Sequence, residues 1–327
     1  MKKDYFVFTS GKLKRKDNTL FFESEGGEKR SIPIETVDSV HVFGELEINS
    51  KLLNFLAQNE VSLHVYNYYG FYSGSFVPRK SNVSGFLTIK QAEHYLNKDR
   101  RLFLAKCFVE AAAYHMLRNV RNYKVQESTE KIEKMFDSFQ ETEFLDIGEI
   151  MSAEAGIRKE YYKSFTTITR GRFDFQKRTK HPPEDPINTL ISFTNSLVYT
   201  TTLSEIYKTI LDPTISFLHE PSTQRFSLCL DISEIFKPLI GDPVIFSMIN
   251  LKQLSEDDFE WTEEFCFLND TGKKKVLKEY QSKLETTIIH RKLKRKVSYK
   301  KLITLECYKL VKHFLGDEIY KPLKAWW

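Results

Sequence analysis

Over the first 80 or so residues the hydrophobic positions come in short runs, and after that their period lengthens. Tyr5 to Thr9, Thr19 to Glu23, Val61 to Tyr66 and Phe71 to Phe76 are rich in β-branched and aromatic residues, punctuated by Ser10-Gly11, Gly26-Gly27, Gly70 and Gly74. That pattern predicts strands joined by turns. One stretch departs from it. In SKLLNFLAQ, Ser50 to Gln58, a serine suited to a cap precedes Leu52, Leu53, Phe55 and Leu56 at helical spacing, which predicts a short helix. From about Gln91 glycine is scarce, and Leu102, Phe103, Phe108, Val109, Ala112 and Leu117 mark the buried side of a long helix. Breaks are expected at the polar Lys124 to Glu133 region and at His181-Pro182-Pro183-Glu184-Asp185-Pro186. There Asp185 is placed to cap a helix and Pro186 stands at its first position, where a missing N–H costs nothing. That helix should run to about Leu211 and stop before Asp212-Pro213. The expectation is an α+β protein, with a small N-terminal β domain over residues 1–85 and a larger all-α domain over 86–327.

Composition narrows the class. The 327 residues suit one large or two ordinary domains, and 41% hydrophobic with 14% aromatic side chains is enough to build a core. The most apolar candidate for a membrane span, Leu102 to Leu117, carries Lys106, Glu110 and His115, short of the roughly 18 uncharged apolar residues required. The N-terminal apolar run ends after Tyr5 to Phe8, short of the roughly 7 to 15 residues of a secretory signal. The cytoplasm is therefore the expected location. Cys107, Cys229, Cys266 and Cys307 are widely spaced with no C-x-x-C pair, which argues against a disulfide framework or a zinc ribbon.

The net charge is only +5, yet residues 271–301 hold twelve Lys and Arg against Glu279 and Glu285. Such asymmetry points to a polyanion docking on one region. A solvated helix face is the plainer account of the same charges.

Three separated segments offer ligands for a hard cation. In MSAEAGIRKEYY, Met151 to Tyr162, Glu154 is flanked by small residues that leave its carboxylate open, although an i to i+4 pair with Arg158 would also explain it. In TISFLHEP, Thr214 to Pro221, His219 closes an apolar run, where a core or turn histidine is the common alternative. In FSLCLDISEIFKP, Phe226 to Pro238, Asp231 and Glu234 lie three apart. On a helix they would share one face; as N-cap and N3 they would form a capping box with no metal needed. Two carboxylates with an imidazole make a mixed oxygen and nitrogen set that suits Mg2+ or Mn2+, and such an open site suits phosphodiester chemistry.

Taken in order, SKLLNFLAQNEVSLHVYNYYGFYSGSF (Ser50 to Phe76), MSAEAGIRKEYY, KRTKHPPEDPINTLISF (Lys177 to Phe193), FLHEP and LCLDISEIFKP resemble the CRISPR-associated spacer integrase and endonuclease, the "Cas one" family, over essentially the whole chain. The resemblance implies that Glu154, His219 and Glu234 bind a divalent metal, Mg2+ or Mn2+, with Asp231 a further acid of the catalytic set. Glu stands at 234 where some relatives have Asp, which leaves open whether Asp231 or Glu234 is the direct ligand. It also implies Asn188 as a contact to the substrate or to the residues that hold it near the active centre; Arg158, Arg178 and Lys180 are DNA-contact candidates for which plain surface charge is the alternative, and the charge of the basic stretch adds Arg291, Lys292 and Arg295. The family's β domain builds a homodimer and its helical domain holds the site. By the same resemblance the protein is expected to work with a small partner, "Cas two", on a short DNA duplex. Its 3'-hydroxyl attacks a phosphodiester at the CRISPR repeat, and the family also cleaves branched DNA. Two other readings compete: a non-catalytic architectural DNA-binding subunit, and a general branched-DNA repair nuclease.

Overall fold

Turn residues cut the N-terminal part into β1 (Lys3–Val7), β2 (Gly11–Lys16), β3 (Thr19–Ser24), β4 (Lys29–Pro33), β5 (Val37–Val42) and β6 (Leu46–Glu47), followed by α1 (Ser50–Gln58), β7 (Ser62–Tyr66) and β8 (Tyr72–Phe76). The computed structural model describes residues 2–78, 83–179, 182–221, 226–263 and 265–327, in two units, Met1–Ser81 and Asn82–Trp327. The sequence reading set this boundary four residues later, after residue 85. The first unit holds one sheet in the order β1-β5-β7-β8, with β1, β5 and β7 parallel and β8 antiparallel to β7, and a second sheet in the order β4-β3-β2-β6.

Leu13 and Leu20 of the second sheet, Val40, Val42 and Leu63 of the first, and Leu52, Phe55 and Leu56 of α1 share one core. The helix is thus where its apolar spacing puts it. Its cap is one residue earlier than expected, since the Asn49 side chain accepts from the Leu52 N–H at 2.9 Å. Strand β2 escaped the sequence reading because only Leu13 of GKLKRK is buried. Its Gly11 marks a close approach, as a Cβ there would meet the Glu23 carbonyl oxygen at 2.3 Å.

The second unit contains α2 (Gly85–Leu96), α3 (Lys98–Asn122), α4 (Gln126–Glu141), α5 (Ile147–Lys163), α6 (Phe165–Ile168), α7 (Pro186–Tyr207), α8 (Ser227–Phe236), a π-helical turn at Lys237–Gly241, and α9 (Asp242–Asn250). A hairpin of β9 (Phe259–Trp261) and β10 (Cys266–Leu268), α10 (Asp270–Glu285), a hairpin of β11 (Thr287–Ile289) and β12 (Lys296–Ser298), and α11 (Tyr299–Leu315) complete it. The β-then-helical class stands, with two small hairpins added to the helical part.

Buried on most of its faces, α7 runs through the core with Leu190, Ile191, Leu197, Val198 and Leu203. Asp185 caps it as expected, accepting from the Asn188 N–H at 2.8 Å. The helix ends at Tyr207 rather than near Leu211.

One expected break is corrected. Lys124 to Glu133 is not a linker, because α4 starts at Gln126 and buries Ser128, Ile132, Phe136 and Phe139. The turn is confined to Tyr123–Val125, where Lys124 takes a positive φ of 56°. Polar residues there occupy the outer face of an amphipathic helix that packs on α3 and α5.

The closing segment is docked on its own unit. Buried Glu306 accepts from the Tyr320 hydroxyl at 2.6 Å and the Leu323 N–H at 3.0 Å, and the Trp327 indole N–H donates to the Tyr299 hydroxyl at 2.7 Å. Among the described residues no helix is long and apolar enough to cross a membrane.

Candidate active site

One face of α5 carries Met151, Glu154, Arg158 and Tyr162 at helical spacing, and it forms one wall of a cavity of about 570 Å³ in the helical unit. The facing wall brings His219 from the turn before α8, Glu234 from α8 and Lys237 from the π-helical turn. Three segments far apart in the chain therefore meet at one opening. Of the small residues beside Glu154, Ala155 lines the cavity. Gly156 is turned toward α4, where a Cβ would come within 3.1 Å of the Met135 Cε. Its small size is clearance for helix packing rather than access to the carboxylate.

Asp231 and Glu234 are not a capping box, since both lie within α8, which begins at Ser227. Asp231 is fully enclosed, at 0% exposure. Its Oδ2 accepts from the Phe217 N–H at 2.6 Å and the Leu218 N–H at 3.0 Å, and its Oδ1 from the His219 N–H at 3.0 Å. The same Oδ1 lies 2.8 Å from His219 Nδ1. This carboxylate therefore has no oxygen left for a ligand in the cavity. What it does is fold the 217–219 turn and hold the imidazole with Nδ1 toward the protein, leaving Nε2 as the other ring nitrogen. Burial pulls the His219 pKa down, but the hydrogen bond and charge of Asp231, with the charge of Glu234, outweigh it, and the net direction is up.

Glu234 is held differently. Its Oε2 accepts from Arg158 Nη2 at 2.5 Å and its Oε1 from Lys237 Nζ. Arg158 also donates through Nε to Glu154 Oε1 at 2.5 Å, and its Nη2 contacts that same oxygen. The i to i+4 pair that the sequence allows is thus present and extends across the cavity to a second acid. Burial alone would raise the Glu234 pKa, yet the charges of Arg158 and Lys237 drive it well below the usual carboxylate range. Burial likewise works against the Arg158 charge, and Glu234 and Glu154 more than restore it, so its pKa lies above the usual value.

Behind this wall, Asn119 donates to the Tyr161 hydroxyl at 2.8 Å and to the Pro238 carbonyl at 2.7 Å, and Tyr161 donates to Asp242 Oδ2 at 2.9 Å. The network fixes the π-helical turn that carries Lys237. Burial pushes the Asp242 carboxyl up to about 7.

Asn188 is moved out of the set of direct substrate contacts, since it is 0% exposed. It donates to the Lys177 carbonyl at 2.8 Å and accepts through Oδ1 from the Thr179 N–H and from Arg178 Nη1, both at 2.9 Å. It is the staple beneath a loop whose Arg178 lines the cavity. Lys180 lies outside the described residues. Arg291, Lys292 and Arg295 are exposed on the β11–β12 hairpin and do not line the cavity. Arg291 stacks 5.1 Å from the Trp326 ring centre and Lys292 pairs with Glu318 Oε1 at 2.7 Å.

Sequence reasoning missed Lys159, Tyr162, Lys163, Lys177 and Lys237 as cavity residues. The first three were within reach, because positions 154, 155, 158, 159, 162 and 163 form one stripe on α5.

The fit of a divalent cation can be tested on this geometry. Among the described residues no group of three or more His, Cys, Asp or Glu side chains stands close enough to hold a metal ion as arranged. The obstacle is identifiable: one nitrogen, Arg158 Nη2, touches oxygens of both Glu154 and Glu234. The donor chemistry fits a hard cation, with two anionic carboxylates and an imidazole around one opening. For both acids to ligate one ion Arg158 must turn away, and Glu234 must share or give up its contact with Lys237.

A family profile described as CRISPR associated protein Cas1 matches residues 5–282. A protein of Thermodesulfovibrio yellowstonii named "CRISPR-associated endonuclease Cas1 3" is 53% identical over 326 residues, covering 99% of this chain and 100% of its own. One of Clostridium perfringens named "CRISPR-associated endonuclease Cas1" is 53% identical over 332 residues, covering 100% of both. The solved structure described as TM1797, a CAS1 protein from Thermotoga maritima, superposes with a TM-score of 0.89 at 39% identity, covering 97% of this chain and 99% of that one. With the profile spanning most of its length and these relatives nearly all of it, the chain belongs to the Cas1 family of CRISPR-associated proteins.

Proposed function

We propose that this protein is a divalent-metal-dependent DNA endonuclease and integrase of CRISPR spacer acquisition, which joins the 3'-hydroxyl of a captured duplex to the CRISPR repeat and also cleaves branched DNA. The observation that carries the reading is the meeting of Glu154, His219 and Glu234 at one cavity that is also lined by Lys159, Lys163, Arg178 and Lys237. Acids with an imidazole suit a cation, and basic side chains around them suit the phosphodiester on which it acts. Bound Mg2+ or Mn2+ supplies Lewis-acid stabilisation of charge on the phosphate oxygens and lowers the pKa of a coordinated hydroxyl or water.

In this reading Glu154, Glu234 and His219, through the ring nitrogen not turned to Asp231, would hold the ion. Asp231 positions His219 and does not ligate. Lys159, Lys163 and Arg178 receive the DNA backbone, whose phosphates position the duplex without specifying sequence. Arg291, Lys292 and Arg295 extend the basic surface on the hairpin. The reading also includes a homodimer and a complex with the small "Cas two" protein as the working assembly.

A metal titration of strand joining and of branched-DNA cleavage tests the proposal. Glu154→Ala and His219→Ala are expected to reduce both by about a hundredfold or more, while duplex binding changes little. Duplex binding with no joining or cleavage product at any metal concentration would favour the architectural DNA-binding subunit instead. Cleavage without joining to a repeat-bearing plasmid, with the partner present, would favour a repair nuclease.

A further inference from the structure

Arg158 places a positive charge between the two carboxylates that would hold a cation in the proposed function. Its Nη2 lies 2.5 Å from Glu234 Oε2 and contacts Glu154 Oε1, which its Nε also holds at 2.5 Å. These groups are not loosely associated surface charges: the side chains of Arg158, Glu154 and Glu234 are 20%, 21% and 11% exposed. With Lys237 on Glu234 Oε1, two acids are balanced by two bases. A divalent ion added to that set would leave a local excess of two positive charges in a partly desolvated site, which is unfavourable at short range. Removing the guanidinium from the carboxylates relieves this. Arg158 is anchored to α5 by a flexible stem and opens onto the same cavity as Lys159 and Arg178, so it can leave both acids by side-chain rotation with α5 unmoved.

We propose that Arg158 is an exchangeable counter-ion, which spaces and neutralises Glu154 and Glu234 in the metal-free protein and must release both for a divalent cation to bind. The inference rests on the reading of Glu154 and Glu234 as ligands. It adds that the affinity of the site is set by competition with the protein's own arginine. Arg158 is on this account a positioning residue for the acids. A guanidinium turned off them remains in the cavity, where a phosphodiester is an available partner.

Mn2+ binding to the full chain without DNA, followed by calorimetry and by the electron paramagnetic resonance signal of free Mn2+, tests this independently of activity. Arg158→Gln is expected to bind Mn2+ about tenfold more tightly than the parent, and Arg158→Lys, which keeps the charge but cannot bridge both acids in a fork, should fall between. In EDTA the Arg158→Gln protein should melt below the parent, and Mn2+ should raise its melting temperature by more than it raises the parent's. Unchanged or weaker binding by Arg158→Gln, with binding lost in Glu154→Gln, would overturn the competition and leave the ligand assignment standing. Absence of Mn2+ binding in both the parent and Arg158→Gln would overturn the ligand assignment and the counter-ion role with it. Should Arg158→Gln not fold, Arg158→Lys decides in the same way, with affinity equal to or below the parent's counting against the proposal.

Discussion

Asp231 and Glu234 lie about one turn apart on α8, and both are buried, yet they are held in opposite ways. Asp231 accepts from backbone N–H groups of three consecutive residues and from His219. Those donors cannot move unless the 217–219 turn unfolds. Glu234 accepts from the side chains of Arg158 and Lys237, each of which can leave by rotation about its own bonds. The two corners of one cavity thus divide the work. The corner built on backbone fixes an imidazole before any ligand arrives, whereas the corner built on side-chain ion pairs keeps its acids exchangeable. The contrast also assigns the two acids that sequence alone left interchangeable: Asp231 is committed to the protein and Glu234 to the cavity.

The largest effect expected from breaking this contrast is on stability. Asp231→Ala strands three backbone donors and is expected to cost about 3–5 kcal/mol in urea denaturation. Glu234→Gln, whose partners can turn to water in the cavity, is expected to cost about 1–2 kcal/mol. Equal losses would erase the distinction.

A smaller effect concerns pH. His219 has its pKa raised in the folded state above the ordinary 6.5. The stability it contributes is therefore complete below that ordinary value and is lost as pH rises through the raised one. The stability difference between the parent and His219→Gln should accordingly shrink from mildly acidic to alkaline pH, and in an Asp231→Asn background, where burial is left as the main influence on the imidazole, this dependence should be lost or reversed. A difference that grows with pH would contradict the pairing.

The smallest effect is expected at Gly156. Gly156→Ala adds a methyl against the mobile end of Met135, so a gain in helix propensity of up to about 1 kcal/mol should be largely offset, and metal binding should be unchanged. Lost Mn2+ binding in that variant would mean that the glycine serves the carboxylate after all.

Local structure is legible in this sequence where neighbours along the chain carry the cause. SKLLNFLAQ is a helix because its apolar spacing matches one face, and Asp185-Pro186 begins α7 because a cap and a fixed φ act within a single turn. Lys124 to Glu133 was misread because polarity on the outer side of α4 looks like a linker until Ile132, Phe136 and Phe139 are placed against their neighbours. Strand β2 was missed because a single buried leucine is too weak a periodic signal.

The candidate site shows the same division. Residue type along the chain offered Glu154, His219, Asp231 and Glu234 as candidates with plainer explanations beside each, and the resemblance of their motifs to the family's is what nominated them. Which acid faces the cavity, that Asn188 is a staple beneath it, and that Arg158 stands between two carboxylates were decided only by tertiary structure. Those facts depend on contacts between residues as far apart as Arg158 and Glu234, and no local propensity encodes the direction of a buried side chain across such a distance.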